Sequence, residues 1–378
     1  MKPIIDAHLD LSWNAMSYDR DQLLPVAELR RLEQKMTGPS RGRCTVSLPA
    51  MREGAIGVCL ATLLCRAMPE GVLPELDKHM SDLGARTRGL IILREDLDHA
   101  NQTIACAAAQ GQLAYYRILQ EQGHLQMIRD AKALDDAWQQ WANGPSADAP
   151  IGFILSMEGC DPIIEPEHAQ WWYDQGLRTA CLAHYGPSAY AMGTGADGPL
   201  TEKGKQLVKE FDRLGIILDL VHTADTAVQQ ALDLYSRPVF VSHGNCRALV
   251  DHDRQFSDQQ INQIAQRGGV FGVVLDCWML ESGYTVGKGS HETNPSLEAV
   301  ADHIDHICQI TGSRDHVGIG SDLDGGFGTE ESPCDLDTIT NLQKLAPILT
   351  DRGYSDDDIN AVFFGNWLRF FRESLPST

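Results

Sequence analysis

Seven residues able to bind metal ions or transfer protons follow short apolar runs in this 378-residue chain. Each run, such as IIDAHLD or IILDLVH, ends in histidine, aspartate or glutamate. These side chains, used without cysteine, suit a divalent metal site of the hydrolytic kind. The candidates are His8, Asp10, Glu158, His184, His222, His243 and Asp322. Their pattern indicates a metal-dependent hydrolase.

The positions of these residues fit two metal ions better than one. His8 and Asp10 are two residues apart in an extended segment, so both side chains project from one face toward one ion. His222 and His243 end neighbouring predicted strands and can bind the other ion. Glu158 can bridge the pair. Paired ions lie ~3.5–4 Å apart and lower the pKa of a shared water toward ~7, which makes it a nucleophile.

Asp322 and His184 are predicted to act on the substrate. Asp322 is expected to take the proton of the attacking water and pass it to the leaving amine. His184 is expected to donate to the carbonyl oxygen as negative charge builds there. Each of these residues alone has a simpler explanation, such as a surface histidine or a turn aspartate. Joint placement on at least five predicted strands is what favours an active site.

The elements that must position these residues alternate between strand-like and helical patterns. This alternation predicts an α/β fold with a parallel sheet. In parallel barrels the chemistry lies at the C-terminal ends of the strands. We therefore predict a (β/α)8 TIM barrel as a single domain over 1–378, with a helical insertion at about 70–145 between strands 2 and 3. The eight predicted strands cover 3–9, 55–63, 151–157, 178–184, 215–222, 238–243, 269–275 and 316–321.

Alternation within the predicted strands indicates which side chains share a face. On the fifth strand, Leu218 and Leu220 are in phase with His222, so they are predicted to point toward the same side. On the eighth strand, Gly318 and Gly320 are in phase with the final aspartate. Their small size is expected to leave space at the barrel axis.

Composition narrows the partners and the compartment. The net charge of −21 argues against nucleic acid and anionic membranes as main partners, because both would be repelled. No apolar stretch approaches the ~20 residues that span a bilayer. The ten cysteines form no CxxC pair and are predicted to be buried free thiols. The chain enters a strand directly after MKP, so we expect a cytoplasmic protein without a secretory segment.

Several ordered motifs resemble the membrane (renal) dipeptidase family, peptidase family M19 of the amidohydrolase superfamily. DAHLD is similar to the DxHxD of its first strand, and SMEG to the IEG of its bridging glutamate. LAHYGPSAYA resembles the segment with its substrate-contacting histidine. DLVH, VSH and GIGSDLDG resemble its DLSH, FSH and GIGSDFDG. The resemblance covers nearly the whole chain.

This resemblance implies a (β/α)8 barrel with two zinc ions per subunit, bridged by Glu158. It implies hydrolysis of dipeptides, L-Xaa-D-Xaa as well as L-Xaa-L-Xaa, and a homodimer is common in the family. It assigns substrate contact to His184 and proton transfer to Asp322. The metal ligands that it implies are His8, Asp10, Glu158, His222 and His243.

One further match concerns the carboxylate of the substrate. The family has an Arg-Asn pair eleven residues after its last ligand histidine, and here Arg254 and Gln255 stand at that spacing. A guanidinium can hold a carboxylate through two hydrogen bonds. Arg247 is the competing candidate. This chain departs from the family pattern next to the expected substrate, with Gln255 in place of asparagine, DLVH in place of DLSH and HGN in place of HSS.

Two alternatives remain open at this stage. An amidase, lactonase or deaminase of the same superfamily would keep the barrel and the metals but cleave another bond. A metal-binding scaffold without activity would have no use for Asp322 as a proton carrier. Three other histidines are predicted to be structural: His303 and His306 lie on a helix outside the barrel, and His316 begins a strand.

Overall fold

The computed structural model describes residues 1–38, 40–68, 97–142, 149–287 and 290–377. Every strand pairing in these ranges is parallel. The strands are β1 (Ile4–Leu9), β2 (Ile56–Leu64), β3 (Arg66–Ala67), β4 (Asp98–His99), β5 (Leu125–Met127), β6 (Ile151–Glu158), β7 (Leu177–Cys181), β8 (Ile217–Asp219), β9 (Phe271–Val273) and β10 (Val317–Ile319). The main sheet runs in the order β8-β7-β6-β2-β1-β10-β9, with β5 also paired to β6, while β3 and β4 pair separately.

The two ends of the main sheet meet through a short segment that was predicted as the sixth strand. Phe240 forms a parallel bridge with Asp219 of β8, and Val241 forms one with Phe271 of β9. The Val241 amide also donates to the Val270 carbonyl at 3.0 Å. The α/β class with a curled parallel sheet is therefore confirmed. The closed eight-stranded barrel and the single domain over 1–378 stay predictions.

Helices follow most of the strands. They are α1 (Leu11–Tyr18), α2 (Val26–Glu33), α3 (Leu48–Glu53), α4 (Gln102–Glu121), α5 (Ala131–Gln139), α6 (Ala169–Gln175), α7 (Glu202–Leu214), α8 (Asp225–Leu234), α9 (Asp258–Gln266), α10 (Cys277–Leu280), α11 (Leu297–Thr311), α12 (Leu345–Asp351), α13 (Asp356–Asn360) and α14 (Asn366–Ser374). Short 3-10 turns cover Pro166–His168, His291–Thr293, Thr329–Glu331 and Ile339–Lys344, and a π turn covers Ala361–Gly365.

Local sequence explains where these helices begin and end. Thr201 precedes α7 and its hydroxyl accepts from the Gly204 amide at 2.9 Å, which satisfies one of the unpaired amides of the first turn. The helix stops at Gly215, whose φ of 77° is the left-handed conformation that glycine adopts without strain.

The predicted insertion at about 70–145 lies partly outside the described residues, since 69–96 and 143–148 are not among them. Its described part contains α4 and α5, as expected, and also β4 and β5. Strand β5 pairs with β6 and so widens the main sheet. The described part of this region is therefore not purely helical.

Two apolar clusters hold the sheet. The larger one combines strand residues such as Leu218 and Leu220 with helix residues such as Phe211 and Val228. The smaller one combines residues of β1, β2, β6 and β8, together with Phe240, with residues of α5 and of the C-terminal helix α14. In it, Trp367 of α14 packs beside Phe240 and Phe371 and donates its indole N–H to the Ile319 carbonyl at 3.0 Å. Helix α14 thus fills the inner side of the curled sheet.

Two predictions about strand faces are wrong. Leu218 and Leu220 pack in the cluster with the helices, whereas β8 ends at Asp219 and His222 stands in a turn with φ of 58°. Strand alternation therefore does not extend to His222. Gly318 and Gly320 leave no empty space, because a Cβ at Gly320 would lie 1.7 Å from the Ser242 carbonyl oxygen.

Two compositional predictions can also be compared with the structure. All ten cysteines are free thiols, as predicted; eight of them are buried, whereas Cys308 and Cys334 are half-buried. Within the described ranges, no helix combines the length and the apolar character that crossing a bilayer requires.

Candidate metal centre

The structure brings the seven candidate residues together at the C-terminal ends of the strands. His8 lies near the end of β1, and Glu158 is the last residue of β6. The others follow strand segments directly or within three residues: Asp10, His184, His222, His243 and Asp322. A parallel sheet directs these ends to one side, which explains how residues far apart in sequence meet.

Glu158 occupies the centre of this group and is only 3% exposed. Its Oε1 lies 3.2 Å from His222 Nε2, 3.4 Å from His243 Nε2 and 3.6 Å from His184 Nε2. Its Oε2 lies 3.4 Å from His8 Nε2. The two oxygens of one carboxylate therefore face two different sets of histidines, which is the geometry of a bridging ligand.

The remaining carboxylates approach His8 from the other side. Asp10 Oδ1 and Asp322 Oδ1 each lie 3.8 Å from His8 Nε2. The Thr62 hydroxyl donates to Asp10 and orients it. Three sets of side chains have ligand atoms close enough to hold an ion: His8, Glu158 and His243; Glu158, His184 and His222; and His8, Asp10 and Asp322.

The hydrogen bonds of His222 and His243 leave their Nε2 atoms for a cation. His222 Nδ1 lies 3.0 Å from the Thr194 hydroxyl, and His243 Nδ1 lies 2.9 Å from the Ser242 hydroxyl. Each hydroxyl can accept a hydrogen bond from the Nδ1–H group, and in that tautomer the ring lone pair lies on Nε2. Burial lowers the pKa of both histidines, so both are neutral. Two lone pairs 3.1 Å apart repel each other unless a cation lies against them.

Unsatisfied polar atoms also fit a metal at this position. Among the described residues, His8 Nε2 and Glu158 Oε2 are buried without a hydrogen-bond partner. Such atoms are costly in a folded protein unless an ion or water satisfies them. Together with the neutral Nε2 atoms and the carboxylates, they form a donor set that suits divalent zinc or manganese.

His184 differs from the other histidines in its hydrogen bonding. Its Nδ1 lies 3.3 Å from Arg66 Nη1, and a guanidinium can only donate. His184 Nδ1 must therefore accept, which puts the ring proton of the neutral form on Nε2. Arg66 is held by Asp98 through bonds of 2.8 and 2.6 Å. His184 is thus arranged as a hydrogen-bond donor toward the pocket.

Burial changes the acidity of the carboxylic acids in this centre. It raises the pKa of Glu158, and it raises the pKa of Asp322 well above its usual range, with the nearby Glu158 and Asp10 charges adding to the effect. Burial opposes protonation of His8, but the Glu158 and Asp10 carboxylates outweigh it and raise the pKa of that imidazole. A carboxyl group with a raised pKa is suited to carry a proton, which is the role predicted for Asp322.

Two buried aspartates that sequence reasoning missed fix the strand ends. Asp6 accepts from the amide and the hydroxyl of Ser321 at 2.9 and 2.6 Å. Asp219 accepts from the Ser242 amide at 3.0 Å. Each serine directly precedes a candidate residue, and each aspartate lies two or three residues before a candidate histidine. This spacing, seen in DAH and DLVH, is the sequence feature from which the two aspartates could have been predicted.

Arg254 is the stronger of the two arginine candidates for the substrate carboxylate. It is 3% exposed and lines the pocket that contains Glu158 and His184. Its Nη2 donates to the His243 carbonyl at 2.9 Å, whereas its Nε and Nη1 have no partner among the described residues. Arg247 instead pairs with Asp225 through bonds of 2.7 and 2.9 Å, outside the pocket.

The three other histidines have partners away from this centre. His303 is buried and accepts from the Cys246 amide at 3.2 Å. His306 pairs with Asp258, and His316 bonds to the Gly269 carbonyl at the start of β10. These contacts agree with the structural roles predicted for them.

A curled parallel sheet with a carboxylate-bridged group of histidines at its C-terminal edge has the architecture of an α/β metallohydrolase. Comparison with known sequences identifies which one. The membrane dipeptidase family, peptidase family M19, matches residues 1–375. The chain therefore belongs to this family of metallopeptidases.

Curated relatives match over part of their length. An uncharacterised dipeptidase of Schizosaccharomyces pombe is 31% identical over 228 residues, which are 59% of this chain and 53% of the relative. Dipeptidase verJ of Clonostachys rogersoniana is 30% identical over 244 residues, which are 63% of this chain and 58% of the relative. The alignments thus span little more than half of these relatives.

Solved structures share the fold over the whole chain. A metallopeptidase from Rhodobacter sphaeroides, liganded with a phosphinate mimic of the dipeptide L-Ala-D-Ala, superposes with a TM-score of 0.76 at 21% identity and covers 99% of both chains. A second M19 metallopeptidase, dipeptidase AC, also gives a TM-score of 0.76 at 21% identity, over 100% of this chain and 99% of its own. At this identity the likeness supports the fold.

Proposed function

We propose that this protein is a metal-dependent dipeptidase that hydrolyses L-Xaa-L-Xaa and L-Xaa-D-Xaa dipeptides within a closed (β/α)8 barrel. The observation that carries the proposal is Glu158, whose two oxygens face separate histidine groups at 3.2 to 3.6 Å. Membership of the M19 family supports the same activity. The complex of the Rhodobacter sphaeroides relative with a dipeptide mimic supports the class of substrate.

The residues present suit two divalent ions, for which zinc is proposed. His8 and Asp10 would hold one ion, His222 and His243 would hold the other, and Glu158 would contact both. When bound, such ions polarise a carbonyl and lower the pKa of water enough to make it a nucleophile at neutral pH. The nitrogen and carboxylate donors of this centre favour zinc, with manganese or cobalt as substitutes.

The chain's own residues bind the substrate and move the proton. Arg254 holds the C-terminal carboxylate through its unpartnered Nε and Nη1. His184 donates from Nε2 to the carbonyl oxygen of the scissile bond, because Arg66 occupies the other ring nitrogen. Asp322 takes the proton of the attacking water and delivers it to the leaving nitrogen.

One observation favours a peptide substrate over a neutral amide or lactone. Arg254 is a buried cation whose Nε and Nη1 have no partner among the described residues, and a buried unpaired charge is strongly disfavoured. A substrate with a free carboxylate would satisfy it, whereas a neutral substrate would leave it unpaired.

Metal analysis combined with dipeptide turnover tests the proposal. We expect two equivalents of divalent metal per chain and hydrolysis within a panel of dipeptides with L or D residues at the C-terminal position. Asp322→Asn should lower kcat by about 10²–10⁴-fold. Metal-loaded protein that leaves the entire panel intact, or unchanged turnover in Asp322→Asn, would exclude the proposal.

A further inference from the structure

The wall of the pocket beside Arg254 carries two carboxylic acids that the proposed hydrolysis does not use. Asp276 follows β9 and Glu331 ends the 3-10 turn Thr329–Glu331, and both line the same pocket as Glu158 and Arg254. Asp276 is 9% exposed, so it is removed from bulk water.

Asp276 has one satisfied oxygen and one unsatisfied oxygen. Its Oδ2 accepts from the Trp278 indole N–H at 2.6 Å, which fixes the orientation of the carboxylate. Its Oδ1 is buried and has no hydrogen-bond partner among the described residues. Burial, together with the negative charge of Glu331, raises the pKa of Asp276 well above its usual range. Burial likewise raises the pKa of Glu331 to about 6.

The described arginines of the pocket form no ion pair with these two acids. Arg66 is bound to Asp98 through two hydrogen bonds. Arg254 opposes the rise in the pKa of Asp276 through its charge, but its Nε and Nη1 have no partner among the described residues, although all three side chains line one pocket. In the proposed function the guanidinium of Arg254 is taken by the substrate carboxylate. Two acids therefore remain for a cation that the described part of the chain does not supply.

Side-chain hydrogen bonds connect the segment that follows Asp276 to the loop that carries Arg254. Gln255 donates to the Met279 carbonyl at 2.8 Å, and Asn245 donates to the same carbonyl at 3.2 Å. His252 packs its ring 4.9 Å from that of Trp278. The acidic wall therefore belongs to the side of the pocket where the carboxylate end of a dipeptide binds.

We propose that this wall is a subsite for a basic side chain on the C-terminal residue of the substrate, so that dipeptides ending in lysine, ornithine or arginine are preferred. This inference rests on the proposed dipeptidase function. A C-terminal lysine carries an α-carboxylate for Arg254 and an ammonium for Asp276 and Glu331 within one residue. The Trp278 ring next to Asp276 adds an aromatic surface of the kind that attracts cations.

Matched substrates isolate the side-chain charge. The metal-loaded protein is assayed with Ala-Lys against Ala-norleucine, and with Lys-Ala against norleucine-Ala, using the C-terminal stereoisomer that it accepts. We expect kcat/KM for Ala-Lys to exceed that for Ala-norleucine by about tenfold or more, since a charged hydrogen bond is worth about that factor. For Lys-Ala and norleucine-Ala, the two values of kcat/KM should be nearly equal. Within each pair, both dipeptides have the same free α-ammonium and α-carboxylate, so the comparison reports only the charge of the side chain.

Variants connect the preference to the wall. Asp276→Asn and Glu331→Gln should each lower the Ala-Lys to Ala-norleucine ratio severalfold. Glu53→Gln removes the same charge from an exposed position at the end of α3 that does not line the pocket, and it should leave the ratio as it is. Calorimetric binding of L-lysine against L-norleucine to the wild-type protein gives a second measurement that does not depend on the folding of the variants.

The outcomes separate this inference from the function on which it rests. Equal kcat/KM for Ala-Lys and Ala-norleucine, a preference confined to the N-terminal position, or an unchanged ratio in Asp276→Asn would overturn the subsite while leaving the dipeptidase intact. Absence of turnover with every dipeptide would overturn both.

Discussion

Arg254 is a buried guanidinium with two nitrogen donors left free of hydrogen-bond partners among the described residues. If it binds the substrate carboxylate, Arg254→Ala should lower kcat/KM for a free dipeptide by about 10–100-fold, mainly through KM, because a charged hydrogen bond is lost. For the same dipeptide with a C-terminal amide, Arg254→Ala should change kcat/KM only slightly, since this substrate has no carboxylate for Arg254 to bind. Steady-state kinetics with both substrates measures the difference.

Arg247→Ala is the matched control for this substitution. Arg247 pairs with Asp225 outside the pocket and also donates to the His252 and Gln255 carbonyls, so any loss of kcat/KM in Arg247→Ala should be the same for the free and the amidated dipeptide. An equal loss in both variants, or an equal loss for the free and the amidated dipeptide in Arg254→Ala, would contradict the assignment.

In the proposed mechanism, Arg66 acts on the reaction through its hydrogen bond to His184. Arg66→Met removes the donor to His184 Nδ1, so the ring proton should distribute between both nitrogens and kcat should fall about tenfold or more. Because this change also removes the Arg66 hydrogen bonds to Asp98, the double variant Arg66→Met with Asp98→Asn should recover stability without recovering kcat. Nitrogen NMR of the His184 ring reports its tautomer directly. A ring that keeps its proton on Nε2 in both variants would refute the role of Arg66.

At the level of the strands, the backbone at Gly320 packs closely against that of Ser242. A Cβ at Gly320 would lie 1.7 Å from the Ser242 carbonyl oxygen, and the Gly320 amide donates to the Val273 carbonyl at 3.2 Å, so a shift of this backbone would disturb a hydrogen bond of the sheet. We expect Gly320→Ala to destabilise the fold by about 1–3 kcal/mol. The free energy of unfolding in urea measures this cost.

Gly111 in α4 provides the comparison. There a Cβ would meet only the Met16 methyl group, at 3.1 Å, and alanine favours a helix over glycine by up to about 1 kcal/mol. Gly111→Ala should therefore be neutral or stabilising. If Gly320→Ala proved as stable as Gly111→Ala, the close packing described for the sheet would be wrong.

Sequence patterns located the strands that carry the site but not how each strand ends. His8 and Glu158 lie within β1 and β6, where alternation applies, and the structure brings them together as predicted. His222 and Asp322 instead have φ of 58° and 57°, so turns rather than strand phase direct their side chains. Such conformations depend on long-range contacts, including those that Asp6 and Asp219 make with serines on neighbouring segments. Local propensity contains no information about these partners.

The pairing of Arg66 with Asp98 shows a second limit of the sequence. The two residues are 32 positions apart and meet because β3 and β4 pair. Neither residue belongs to a motif quoted for the family resemblance. Their effect on His184 emerges only when three separate segments are placed together.

For the molecule as a whole, bound metal should contribute to stability. Ions that bind only the folded state stabilise it by about 2.7 kcal/mol when present at 100 times their Kd. Removing metal with a chelator should therefore lower Tm by several degrees, and zinc or manganese should restore it. Differential scanning calorimetry at constant ionic strength measures this shift. Magnesium should restore less of the lost Tm than zinc or manganese does, because histidine nitrogens bind magnesium poorly.

An unchanged Tm after chelation, in protein shown by elemental analysis to have lost its metal, would contradict a metal centre of this kind. The net charge of −21 makes constant ionic strength important, since self-repulsion is screened by salt. The cytoplasmic location and the homodimer stay predictions.

The pairing of β1 with β10, and the packing of Trp367 against the inner cluster, have a consequence for how the protein is made on the ribosome. His8 leaves the exit tunnel more than 300 residues before Asp322 and α14. Until β10 has been synthesised, the edge of β1 that pairs with it lacks its partner strand. Molecular chaperones and the timing of translation therefore have a direct bearing on the yield of correctly assembled protein.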